Sequence, residues 1–82
     1  MVKVRVFATL RGIVGKNELE VQADTVGELL EKLYSEYPEM KKELEKGVII
    51  LVNGKNIEHL EKLDTKLKDG DVVSIFPPVG GG

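Results

Sequence analysis

Cysteine is absent from the 82-residue chain, and so is tryptophan. The first absence excludes a disulfide framework, a thiolate nucleophile and thiolate-ligated zinc together. It fits a reducing, cytoplasmic setting. His59 is the sole histidine and has no cysteine beside it. That disfavours a metal site or a catalytic dyad and leaves it a solvated or helix-capping role. No apolar run approaches the ~18 residues needed to span a bilayer. The opening Met1-Val2-Lys3-Val4-Arg5-Val6 alternates apolar and charged residues, where a signal peptide carries a continuous apolar core. A soluble protein with no membrane partner is expected. Charge of one sign is also lacking: 12 Lys and Arg stand against 14 Asp and Glu, net −2. Such a balance offers no global attraction to nucleic acid. The charges are dense and mostly Lys and Glu, which leans towards a thermophilic source. A chain of this length forms one domain and buries only about 60–65% of its unfolded surface.

Within that domain the hydrophobic pattern changes period several times. Val2, Val4, Val6 and Ala8 alternate with Lys3, Arg5 and Phe7, the signature of a strand with one buried face. A polar loop is expected around Arg11-Gly12 and Gly15-Lys16-Asn17. Leu19 and Val21 then alternate with glutamates in a short return strand. Thr25, three residues before Glu28, marks a helix start, and Val26, Leu29, Leu30, Leu33 and Tyr37 form its apolar stripe. Pro38 interrupts this helix, and a further turn carrying Met40 and Leu44 comes after it. The β-branched run Val48–Val52 reads as an interior strand covered on at least one face. Asn53-Gly54 is a tight-turn signal, and Lys55-Asn56-Ile57 a short return strand. Leu60, Leu63 and Leu67 are expected to anchor a connecting segment. Asp69-Gly70-Asp71 turns the chain into a last strand, Val72 to Phe76.

The chain ends Phe76-Pro77-Pro78-Val79-Gly80-Gly81-Gly82. The two prolines lack N–H donors and hold φ near −65°, so they stop sheet pairing and stiffen the chain where it leaves the last strand. Glycines accept conformations that other residues resist and let backbone thread a channel too narrow for a Cβ. Residues 1–78 are therefore expected to form the domain, and 79–82 a flexible tail. Gly82 presents a carboxylate that a partner can convert to an acyl-adenylate, and Val79, Gly80 and Gly81 are the threading residues. Phe7 and Phe76 both fall on the outward face of their strands. If those strands are neighbours, the rings make an apolar patch at the root of the tail, and exposed aromatic patches mark partner sites. Pro77, Pro78 and Arg11 complete the expected interface. Gly12-Ile13-Val14-Gly15-Lys16 is not a phosphate loop, because two residues separate its glycines instead of four and Asn17 replaces the Ser or Thr.

Taken with Val4-Arg5-Val6-Phe7-Ala8-Thr9-Leu10-Arg11, Val14-Gly15, Thr25-Val26, Val52-Asn53-Gly54 and Asp69-Gly70-Asp71, this C-terminal block resembles the MoaD/ThiS family of ubiquitin-like sulfur carriers. The likeness is greatest to the molybdopterin synthase small subunit. Gly80 departs from it, since the family often has a slightly larger residue there. The resemblance implies an α+β fold of the β-grasp type, a mixed sheet of four to five strands packed on one main helix. Its first and last strands would be parallel neighbours. It further implies that a ubiquitin-activating-type adenylyltransferase uses ATP to activate Gly82, and that a sulfur donor system converts it to a thiocarboxylate. The large synthase subunit would then use that sulfur on precursor Z. The chain would bind no metal or cofactor itself and act as co-substrate rather than catalyst. Conjugation of Gly82 to lysines, or sulfur delivery to tRNA, is the alternative that the same activation chemistry allows. A non-covalent docking domain with an inert tail ranks below both.

Overall fold

A computed structural model describes residues 1–78; Val79, Gly80, Gly81 and Gly82 lie outside the described residues. Strand β1 (Val2–Val6) buries Val2, Val4 and Val6 and exposes Lys3 and Arg5, as its period of two requires. The alternation ends there. Ala8 is exposed, at φ 54° and ψ −128°, and the chain turns into a short helix, α1 (Thr9–Val14). This corrects the loop expected from Arg11 onward. Leu10 and Val14, four residues apart, are both buried, but Gly12 between them hides the helical spacing. Gly15, at φ 86°, closes the helix by donating its N–H to the Arg11 carbonyl at 2.7 Å.

Strand β2 (Glu18–Val21) returns antiparallel along β1. The main helix, α2 (Val26–Glu36), starts as expected, with Thr25 Oγ1 accepting the Glu28 N–H at 3.1 Å. The reciprocal bond reaches one residue further back than in a capping box: Glu28 Oε1 accepts from the Asp24 N–H at 2.7 Å. Val26, Leu29, Leu30 and Leu33 face the sheet. Pro38 opens a third helix, α3 (Pro38–Leu44), at its first turn, where a missing N–H costs nothing. Met40 and Leu44 bury the inner side of α3.

Strand β3 (Ile49–Val52) and the two-residue β4 (Lys55–Asn56) flank the Asn53-Gly54 turn, whose residues sit at φ 51° and 86°. Ile57 falls outside the expected return strand and instead buries its side chain at the start of a 3-10 turn. Leu67 is buried, but Leu60 (38% exposed) and Leu63 (53%) are not. Two of the three expected anchors therefore face solvent. Strand β5 (Val72–Phe76) completes a sheet of order β2-β1-β5-β3-β4, in which β1 and β5 are parallel. The core lies between the β1, β5 and β3 face and α2, with Val4, Val73, Ile75 and Leu29 wholly enclosed.

Opposite the chain's exit from the sheet, Asn53 and Asp71 lock the β3–β4 turn onto the start of β5. Asn53 Nδ2 donates to Asp71 Oδ1 at 3.0 Å, and Asn53 Oδ1 accepts the Val72 N–H at 2.9 Å. Asp71 Oδ2 accepts the Lys68 N–H at 2.9 Å. The Asn53 amide and then the Lys68 N–H hold the Asp71 carboxyl below its ordinary pKa. A depressed folded pKa stabilises the fold above the carboxyl's unfolded value near 4. That stabilisation is lost as pH falls through the lower folded value. Asp71→Asn is expected to lose about 1 kcal/mol at neutral pH and to flatten the decline in stability below about pH 4. Urea unfolding across an acidic pH series measures both; an unchanged acid slope would remove Asp71 from the account.

Candidate functional site: the apolar end of the sheet

The parallel register Arg5↔Ser74 and Val6↔Ile75 carries β1 and β5 out of the sheet side by side. Phe7 and Phe76 thus meet on the face turned away from the core. Their ring centroids are 4.3 Å apart, with the planes within 8°. Both rings are half-buried, each covering part of the other. Such pairs add about 0.5–1.5 kcal/mol beyond area burial. The pairing expected from alternation is present, and it extends further. Ile49 pairs in register with Phe76 from the other side and is 48% exposed. Strands β5 and β3 and the residue that follows β1 therefore contribute one apolar row, Phe7–Phe76–Ile49, at the end of the sheet where β5 stops. Behind it runs a mostly polar row, Arg5–Ser74–Leu51.

The two prolines divide. Pro77 is buried, and Pro78 is exposed. Pro78 lies over Gly47, where a Cβ would come within 3.6 Å of the proline's own. Gly47 has φ +136°, a backbone state that a side-chain-bearing residue rarely adopts. The α3–β3 connection thus forms a shelf under the departing chain. Arg11 is exposed and borders a shallow hollow with Arg5, Phe7 and Asn17. Arg5 is paired with Glu18 at 3.9 Å across the strands, so Arg11 is the guanidinium in this hollow not in an ion pair among the described residues. Gly82, Gly81, Gly80 and Val79, the expected reactive and threading positions, lie outside the described residues. His59 is exposed on its 3-10 turn.

Ile49 and Leu51 are the residues that sequence reasoning missed. A run of five apolar residues carries no parity of its own. The antiparallel pairing with β5 supplies it, because Ile50 and Val52 then share the face of Ile75 and Val73. Ala8 was also missed. Its positive φ comes directly after Phe7, in a turn where the Leu10 N–H donates to the Phe7 carbonyl at 3.1 Å. A β-carbon in this region costs about 1–3 kcal/mol. The turn that places the Phe7 ring therefore carries a strained residue, between the stacked Phe7 and the buried Leu10.

Residues 4–82 match the ThiS family. The chain belongs to that family. This ThiS-family chain is 37% identical over 84 residues to the molybdopterin synthase sulfur carrier subunit of Escherichia coli, with all of both chains covered. In solved structures it is similar to small archaeal modifier protein 1 from Methanosarcina acetivorans. That match has 42% identity and TM-score 0.86, over 99% of this chain and 95% of the other. It is also similar to a chain of the complex of subunits 1 and 2 of the molybdopterin-converting factor from Helicobacter pylori. There the identity is 32% and the TM-score 0.69, over 99% and 97%. The fold is thus the ubiquitin-like β-grasp, and the chain a ubiquitin-like sulfur carrier by family.

Because glycine relieves the positive φ at residue 8, Ala8→Gly is expected to stabilise the fold by about 1 kcal/mol, after subtracting glycine's added backbone entropy. Phe76→Ala is expected to destabilise it by about 2 kcal/mol, less than for a fully buried Phe. Thermal unfolding of the two variants beside the wild type measures both. A lower melting temperature for Ala8→Gly would remove the strain argument.

Proposed function

We propose that this chain carries sulfur for molybdopterin synthesis. A ubiquitin-activating-type adenylyltransferase joins the Gly82 carboxylate to AMP, releasing pyrophosphate from ATP bound on that partner. A sulfur donor system then supplies sulfur to the acyl carbon, expelling AMP and leaving a thiocarboxylate. In complex with the large synthase subunit, the thiocarboxylate sulfur displaces an oxygen from a carbon of precursor Z, and water then cleaves the acyl–sulfur bond, leaving the sulfur on the pterin and a carboxylate on Gly82. No metal or nucleotide is held by this chain in that cycle. The observation that carries the reading is the apolar row Phe7–Phe76–Ile49 at the point where β5 stops. It offers a partner a docking face beside the one segment that has to enter the partner's active site. Full-length identity to the Escherichia coli sulfur carrier subunit favours molybdopterin as the destination. The matched subunit 1 and 2 complex favours a large subunit as the receiver.

A second reading is favoured by the likeness to the archaeal modifier protein. In this reading the same acyl-adenylate of Gly82 is attacked by a lysine amine of another protein, AMP leaves, and an isopeptide bond replaces the thiocarboxylate. Intact mass of the chain from its native cells separates the two. Exchange of one oxygen for sulfur at Gly82 supports the carrier; Gly82–lysine branches alone support the modifier. One residue added after Gly82 is expected to abolish either activity, and survival of partner function in that variant would reject both. Gly82→Ala is expected to leave folding and partner affinity intact while slowing activation by roughly tenfold or more, the cost of about 1.4 kcal/mol of misplacement. Pyrophosphate exchange at saturating partner measures it; a wild-type rate would overturn the narrow-channel argument.

A further inference from the structure

The opposite edge of the sheet has features that the tail chemistry does not use. In the β1–β2 register, Val2, Val4 and Val6 stand opposite Val21, Leu19 and Asn17, and the Val6 N–H donates to the Asn17 carbonyl at 3.0 Å. Hydrogen-bonded and non-bonded pairs alternate in an antiparallel ladder. The backbone groups of Leu19 and Val21 therefore face β1, and those of Glu18 and Glu20 face away from it. Among the described residues no strand lies on that side, since β2 ends the sheet order. The Lys32 ammonium takes the Gln22 carbonyl and closes the edge just beyond Val21.

Beside this open edge runs a groove of about 500 Å³ between β2 and the C-terminal half of α2. Leu19, Val21, Leu33 and Tyr37 form its apolar wall, with Glu36 and Lys32 at the rim. Leu19 and Val21 are half-buried, while Glu18 and Glu20 are exposed on the outer face. Across β1 those glutamates already stand opposite Arg5 and Lys3. An edge of this kind pairs with an added strand unless charge prevents it. Antiparallel pairing of two copies through β2 would bring Glu18 and Glu20 of each against those of the other, and like charges directly opposite are destabilising. The same carboxylates attract a strand carrying cations at alternate positions.

We propose that the β2 edge and its groove bind an extended basic segment of a partner protein, with Lys or Arg opposite Glu18 and Glu20. Apolar residues alternate with them and enter the groove beside Leu19 and Val21. The bound strand repeats the pattern of β1 itself, Val-Lys-Val-Arg-Val, so the outer face becomes a cation–anion–cation ladder. Main-chain bonds to Glu18 and Glu20 supply affinity, and the alternation supplies selectivity.

Three blocked peptides test this on the full-length, nitrogen-15-labelled chain: Lys-Val-Lys-Val-Lys, Glu-Val-Glu-Val-Glu and Lys-Lys-Lys-Val-Val. The first is expected to shift the Glu18 and Glu20 amide resonances and slow their hydrogen exchange. The other two are expected to bind roughly tenfold more weakly, given two cross-strand charge pairs. In Glu18→Lys/Glu20→Lys the preference between the first two peptides is expected to reverse; Glu36→Lys, on the helix rim, gives a weaker change of the same sign. Equal responses to all three peptides would overturn the proposal. So would shifts confined to Phe7 and Phe76, or the same amide shifts appearing with protein concentration alone, which would make the occupant a second copy. If the double variant does not fold, the comparison of peptides on the wild type still decides.

Discussion

The parallel pairing of β1 with β5 is the constraint on which the rest of the architecture hangs. Parallel neighbours cannot be joined by a tight turn, so the intervening chain has to supply a crossover. That crossover is everything from α1 through β4 and the 3-10 turns after it, and it wraps α2 over the face where Val4, Val73 and Ile75 are enclosed. The same pairing sends both strands out of the sheet in one direction. Phe7 then has no choice but to meet Phe76, and the chain leaves the fold beside the pair.

The outer face of the sheet is graded from this end to the other. The row at the exit is apolar and aromatic; the next holds Arg5 and Ser74; the far end is closed by the Asn53–Asp71 hydrogen bonds. A carboxylate held in its ionised form at one end and an unpaired hydrophobic row at the other divide two demands on the sheet. One end keeps β5 in register, and the other leaves part-exposed apolar side chains against water. On the β2 flank the acidic side chains discourage self-pairing while leaving the backbone groups of that edge available.

Much of this was legible in the sequence because the deciding signals were local. Period two exposes the two faces of β1 and β5, Thr25 and Glu28 mark the start of α2, and Asn53-Gly54 fixes a hairpin of positive-φ residues. From those faces the Phe7–Phe76 contact is expected once the strands are neighbours. The features that were not legible depended on partners distant in sequence. Ile49 and Leu51 gain an outer face only through their register with β5, and α1 is too short and too glycine-broken to show a helical period. Leu60 and Leu63 look like core residues by type, yet the space above the sheet is already filled by α2 and Ile57. The strain at Ala8 has no sequence signature, because a glycine would have advertised the turn and an alanine conceals it.

Strand β5 is flanked on both sides, by β1 and by β3, and the chain departs along its axis past Pro78. Traction on that end therefore loads the ladders on both sides in shear, with every rung sharing the force, instead of opening them one at a time. A pull along β5 is thus resisted by two ladders at once, and the buried Pro77 extends that hold one residue past the strand.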